Sequence, residues 1–182
     1  MVEVRALDPD DWPLWRGLRL AALAEAPRAF GSTLGDWQGE GDREERWRAR
    51  LGIPGALDLV ALLDGRPVGM ASGVPEGPEP GGSGAVELIS VWVDPAARGR
   101  GVGDRLIQEI ETWAAGRGAP LLKLSVRHGN DTALALYTRH GFRDTGEPGA
   151  LLPDGTGQTV LAKTPVIGGP SPRGLRRADP AA

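Results

Sequence analysis

The sequence contains no cysteine, which removes disulfide bridges, thiolate metal sites and cysteine nucleophiles together. It has two histidines, His128 and His140, too few and too scattered for a metal site. Tyr137 is its only tyrosine. Lysine occurs only at Lys123 and Lys163, so almost all positive charge is arginine. With the alanine, glycine and proline content, that bias points to a GC-rich genome and a bacterial source. The longest aliphatic run, about "LVALL", is far too short to span a bilayer. The acidic start "MVEVRALDPDDW" lacks the apolar core of a signal peptide, so a cytoplasmic protein is expected, away from membranes. A net charge of −3 argues against bulk nucleic-acid binding.

What is present suits one globular unit. The chain has 182 residues, 40% apolar and 25% charged, enough for a single sizeable core. Its 28 glycines and 16 prolines concentrate in a few stretches, which read as loops and a tail. From Val166 onward, "VIGGPSPRGLRRADPAA" has no periodicity and reads as a disordered tail on a domain of residues 1–165. Three arginines against Asp179 give this tail a charge of +2 and leave −5 for the rest. An acidic body mildly favours a cationic acceptor.

Periodicity supplies an element order. "VEVRAL" alternates with period 2 and reads as a half-buried strand. A helix follows with Asp10 as its N-cap and Pro13 at the third position; Leu14, Trp15, Leu18, Ala21 and Ala22 form its apolar stripe. "AFGSTLGDWQGEG" is loop-like, and "DREERWRARL" reads as a short helix capped by Asp42. Two strands flank an Asp64-Gly65 hairpin turn, and residues 75–84 read as a loop. "AVELISVWV" is a nearly continuous apolar run and reads as a central buried strand. Residues 101–117 show helical spacing; "LLKLSV" is a strand and "NDTALALYTRHGF" a helix, with two strands last. The expected fold is α/β, with an antiparallel first half and crossover helices later.

The join between the central strand and its helix, "VDPAARGRGVGDRL", carries chemistry. The first N–H groups of a helix lack internal partners and sit at the positive end of the helix dipole. Glycine lets a backbone approach a phosphate closely, so this turn reads as an anion site. Arg98 and Arg100 add forked donors. The alternative is a plain strand–helix turn with surface arginines. Gly99, Gly101 and Gly103 do not fit the dinucleotide spacing, and no Lys-Ser/Thr follows for a Walker loop. An RNA-binding arginine–glycine segment is disordered, whereas this one joins two strongly apolar elements.

Arg98-x-x-Gly101-x-Gly103, after a strand and opening a helix, resembles the pyrophosphate loop of the GNAT superfamily of N-acetyltransferases. A second motif agrees: Asn130, Ala133, Tyr137, Gly141 and Phe142 match the later helix segment of that family. The resemblance is strong over about residues 85–145 and looser before them, where "EAPRAFGSTL" is similar to a stretch in bacterial members of unassigned substrate. It implies a three-layer α/β/α fold with a mixed sheet of about seven strands and about four helices.

The resemblance also implies acetyl-CoA as co-substrate, no metal, and direct transfer of acetyl to a primary amine on a small molecule or peptide. Backbone N–H groups of Arg98, Gly99, Arg100, Gly101, Val102, Gly103 and Asp104 would hold the CoA pyrophosphate. The backbone of Val91, Trp92 and Val93 would pair with pantetheine, and Asn130 would contact CoA, a role that competes with capping its helix. Tyr137 would protonate the departing thiolate; otherwise it is a core-facing aromatic. Glu87, the only ionisable residue in "AVELISVWV", would be the base, with Asp36, Glu40 and Glu25 as rivals. Phe30 and Trp37, in the loop after the first helix, are candidates for a substrate wall. His140 is expected to serve the C-terminal carbonyls of its helix. Homodimers are common in the family. The readings that remain beside this one are a non-catalytic acyl-CoA-binding module and, less favoured, a nucleic-acid-associated role.

Overall fold

The computed structural model describes residues 1–77 and 84–166. Most of the expected loop at 75–84 and all but the first residue of the expected tail lie outside them. The chain runs β1 (Val2–Ala6), α1 (Trp12–Glu25), α2 (Glu44–Leu51), β2 (Leu57–Leu63), β3 (Arg66–Pro75), β4 (Val86–Val93), α3 (Val102–Gly116), β5 (Leu122–Arg127), α4 (Asp131–Arg139), β6 (Arg143–Pro148) and β7 (Gln158–Lys163). Short 3-10 turns precede α1, α2 and α3.

The strands form one seven-stranded sheet in the order β1-β2-β3-β4-β5-β7-β6. All neighbours are antiparallel except β4 and β5. The β2–β3 turn needs positive φ at both central residues, found at Asp64 (51°) and Gly65 (80°), the two-residue hairpin expected of an Asp-Gly pair. Each face of the sheet carries its own core. Leu59, Ala71, Leu88 and Leu122 pack with Leu106, Ile107 and Ile110 of α3, while Val60, Met70 and Trp92 pack with Trp15, Leu23 and Trp47 of α1 and α2. Burial on both faces is why β2 and β4 read as continuous apolar runs.

Four expectations need correction. Asp8, not Asp10, is the capping side chain: it accepts from the Asp10 N–H and heads a 3-10 turn, while α1 itself begins at Trp12. Asp42 does not cap α2. Its carboxylate takes hydrogen bonds from Arg16 and from Trp47 Nε1 (2.8 Å), which tie α1 to α2. The buried stripe of α1 is Trp15, Leu18, Arg19, Ala22 and Leu23, and Ala21 is exposed. His140 Nε2 meets Asp104 Oδ1 at 2.8 Å, and Lys163 Nζ donates to the His140 carbonyl instead.

Candidate active site

The site starts from an irregularity in β4. Met70 pairs with Trp92 and Ser72 with Ile89, so Ser90 and Val91 together oppose Ala71. This is a β-bulge, and Ser90 takes φ 56° to make it. The bulge slips the alternation by one. Val86 and Leu88 face α3 before it, Val91 and Val93 face α3 after it, and Trp92 turns to α1.

The second feature is a parting of strands. β4 pairs with β5 only at Val86↔Leu122 and Glu87↔Lys123. From Leu88 to Val93 the β5-facing edge of β4 has no ladder partner among the described residues. An open strand edge offers backbone donors and acceptors to an extended ligand.

That edge leads straight to the glycine loop. After a 3-10 turn at Pro95–Ala97, Gly99 (φ 75°) and Gly101 (φ 76°) bring the chain into α3 in left-handed conformations. A Cβ at either glycine would meet nothing within 4 Å, so both open onto free space. Gly101 is the N-cap and has no side chain to satisfy the first N–H groups, those of Val102, Gly103 and Asp104. Gly103 lies closer in, where a Cβ would touch Leu136 and Val93.

The two loop arginines differ. Arg98 donates from Nη2 to Glu25 Oε2 (2.8 Å) and from Nε to the Val93 carbonyl (3.1 Å). Glu25 also accepts from Trp92 Nε1 (3.0 Å), and these bonds hold its carboxyl below the usual range. The Arg98 side chain therefore ties the end of α1 to the loop. Arg100 is exposed. Asp104 accepts from Arg139 (2.6 Å) and meets His140, which joins α3 to α4.

Tyr137 lies on α4, 8% exposed, edge-on to Phe142 with ring centroids 5.8 Å apart. Its hydroxyl has no hydrogen-bond partner among the described residues, and burial pushes the phenol well above its ordinary pKa. Asn130 caps α4: Oδ1 accepts from the Ala133 N–H (3.2 Å), which leaves its NH2 group for any ligand.

Glu87 is half-buried on the opposite face from Leu88, where β4 and β5 begin to part. A cleft of about 200 Å³ opens there, lined by Glu76, Glu87, Lys123, Ser125 and Glu147 among others. Burial, then the Glu76 charge, push the Glu87 carboxyl up, against the lowering effect of Lys123. The rival acids have other roles. Asp36 accepts from the Thr33 N–H (2.7 Å) in a local turn, Glu25 holds Arg98, and Glu40 is exposed.

Phe30 and Trp37, expected as a substrate wall, are each only 9% exposed and belong to the α1/α2 core. Trp37 packs on Trp47 with centroids 4.4 Å apart, and Phe30 lies under the Arg19 guanidinium at 4.7 Å. The loop folds its aromatics inward, against the α1/α2 face of the sheet. Arg19, which reaches Ser90 Oγ of the bulge at 3.5 Å, was not picked out by the pattern. It sits one turn after Trp15 in the apolar stripe, and a charged residue in that position was the available signal.

Comparison with known proteins agrees with this geometry. A family model described as "Acetyltransferase (GNAT) family" matches residues 19–142. The chain is 45% identical over 60 residues to the N-alpha-acetyltransferase RimI of Mycobacterium tuberculosis, a match covering 33% of this chain and 36% of that protein. It thus spans about a third of that relative's length. It is 30% identical over 128 residues to the uncharacterized N-acetyltransferase YhfO of Bacillus subtilis, covering 70% of this chain and 84% of that one. In fold it resembles yncA of Salmonella typhimurium, a putative acetyltransferase solved with acetyl-CoA, with a TM-score of 0.72, 22% identity, and coverage of 100% of this chain and 99% of that one.

Proposed function

Since the chain belongs to the GNAT acetyltransferase family, we propose that it transfers an acetyl group from acetyl-CoA to a primary amine, by direct attack while both are bound. One observation carries this reading. The unpaired edge of β4 runs directly into the uncapped N-terminus of α3, so a strand-like slot and an anion site lie in line. The co-substrate would supply an activated thioester, and the residues fit it.

In this reading the Val102, Gly103 and Asp104 N–H groups, with the loop from Arg98, Gly99 and Arg100 to Gly101, take the pyrophosphate. The open edge at Val91, Trp92 and Val93 pairs with the pantetheine amides. A β4 N–H beside the bulge stabilises charge developing on the thioester oxygen. Tyr137 protonates the leaving sulfur. Its buried phenol stays protonated above the ordinary tyrosine range, so the proton is available at any physiological pH. Glu87 takes the proton from the acceptor amine, directly or through a water in the cleft. A cytoplasmic bacterial location fits this chemistry, and among the described residues no helix is long and apolar enough to cross a membrane.

Thermal shift provides the test, with ~1 mM acetyl-CoA, CoA and NADH side by side. A Kd of about 10 μM would stabilise by ~2.7 kcal/mol, or roughly 5–10 °C in Tm for a chain of this size. Acetyl-CoA and CoA should both give this shift and NADH should not. No shift with either CoA species would sink the reading.

The base makes a pH prediction. Glu87 must be ionised to accept a proton, and its pKa is raised, so kcat falls as pH drops through that raised value. Glu87→Gln should lower kcat by about 10²-fold at neutral pH and remove that acid limb. The variant should not be less stable at neutral pH. A raised native pKa means that ionising Glu87 opposes folding, and the stability present below the ordinary carboxylate range is lost as pH rises through the raised value. An unchanged pH–rate profile in Glu87→Gln would take the role from Glu87.

A further inference from the structure

The α1/α2 layer holds a buried cation with no ion-pair partner among the described residues. Arg19 is 9% exposed, in the middle of a stripe otherwise made of Trp15, Leu18, Ala22 and Leu23. Its guanidinium has five N–H donors. Among the described residues it makes one hydrogen bond, to Ser90 Oγ at 3.5 Å, the long limit for such a contact. Its other company is the face of Phe30, 4.7 Å from the guanidinium carbon. Among the described residues no carboxylate pairs with it.

Its neighbour makes the imbalance sharper. Arg50 reaches the same hydroxyl, also at 3.5 Å, but is satisfied elsewhere by Asp58 Oδ1 (2.9 Å) and Ser72 Oγ (2.9 Å). Asp58 is 2% exposed and is the acid paired with Arg50 among the described residues. The two guanidiniums thus meet at the Ser90 hydroxyl, while the Asp58 carboxylate pairs with Arg50. Burial and the Arg50 charge pull the Arg19 pKa down to about 10. An isolated buried charge is costly, and buried charges are as a rule paired.

The position of this cation is as informative as its charge. Ser90, which both guanidiniums approach, is the positive-φ residue of the β4 bulge. The bulge is where the thioester would lie. Non-glycine residues in such a conformation gather at ligand sites. On the same face of the sheet, roughly 10 Å back along the strand at ~3.3 Å per residue, Glu87 and the acidic cleft begin. A negative end and a positive end therefore bracket the reacting centre.

We propose that the acetyl acceptor is an amino carboxylic acid whose carboxylate is held by the Arg19 guanidinium, on the α1/α2 side of the β4 bulge. The proposal rests on the acetyl-transfer reading above. The planar fork of Arg19 suits a carboxylate bidentately, and Ser90 Oγ lies within reach to donate to it. Phe30 covers the guanidinium and keeps water from it. The acceptor's ammonium group is drawn by the glutamates of the cleft, loses its proton on the Glu87 side and attacks. The mild preference for a cationic acceptor, drawn from net charge, gives way to a zwitterion read at both ends.

The test uses the whole chain saturated with CoA, titrated with the protein amino acids and short ω-amino acids and, in parallel, with their carboxamides. Each carboxamide keeps the amine and loses only the carboxylate. At least one acid should raise Tm where its amide does not, and should be acetylated with kcat/KM at least ~30-fold above the amide. Arg19→Met should bring that advantage to within about 3-fold of unity. The unliganded Tm of Arg19→Met should hold or rise, because a buried charge without a partner has been replaced by an apolar chain. Arg19→Lys, which keeps the charge and loses the fork, should retain part of the advantage. Three results would overturn the proposal: amides used as well as acids, acid preference surviving in Arg19→Met, or no acid stabilising a protein that acetyl-CoA does stabilise. Absence of any acetyl-CoA shift would instead count against the transfer reading itself.

Discussion

Gly101→Asp is expected to abolish acetyl-CoA binding, raising Kd by at least ~100-fold, since it sets a fixed negative charge where a helix N-terminus meets a phosphate. The geometry allows the cause to be separated from misfolding. Gly101 has φ 76°, and a Cβ there meets no atom within 4 Å. A side chain is thus admitted by space and opposed only by backbone strain, about 1–2 kcal/mol for an L-residue and less for aspartate. For a chain of this size that lowers the unliganded Tm by roughly 2–8 °C and leaves a folded protein to titrate. Gly101→Ala carries the same strain without the charge, so it should lose far less affinity than the aspartate. Isothermal titration with CoA reads both. Full affinity in Gly101→Asp would mean that no phosphate sits at the start of α3.

That prediction was open to the sequence because the loop is made of local events. Residues at positive φ leave glycines behind, and a strand–glycine–helix join marks its own position. The hairpin at Asp64-Gly65 is legible for the same reason. The bulge is not, because serine is no marker of positive φ, and burial on both faces of β4 hides the slipped alternation at Ser90. The parting of β4 from β5 depends on how far two strands distant in sequence stay in register, and no local signal records that.

The aromatics and Arg19 failed in opposite directions. Phe30 and Trp37 fall in a loop, and loops suggest solvent and function, yet both are core, packed with Trp15, Trp47 and Met70. Arg19 falls on a helix, where a stripe drawn through Ala21 leaves it outside. The true stripe includes Arg19, and its charge is the feature that packing alone does not require. Reading a helix face for its exceptions would have found it. Glu87 stands out in the same way, as a lone ionisable residue in an apolar strand.

Tyr137→Phe is expected to lower kcat by about 10²-fold with acetyl-CoA affinity and Tm unchanged. The lower end of the range for a general acid applies because a thiol with a reference pKa of ~8.5 leaves tolerably without help. The substitution removes one oxygen that has no hydrogen-bond partner among the described residues, and it keeps the ring against Phe142. No buried partner is left unsatisfied, so stability has no reason to fall. The effect should also depend on the leaving group. An acetyl thioester of a more acidic thiol needs less protonation, so the gap between tyrosine and phenylalanine should narrow with it, whereas a packing defect would slow both thioesters alike. Equal kcat in the two proteins would return Tyr137 to the core, where its 8% exposure on the α4 stripe otherwise belongs. With Glu87→Gln, the pair separates the two proton transfers. Loss of the acid limb belongs to the amine side, and sensitivity to the thiol belongs to Tyr137.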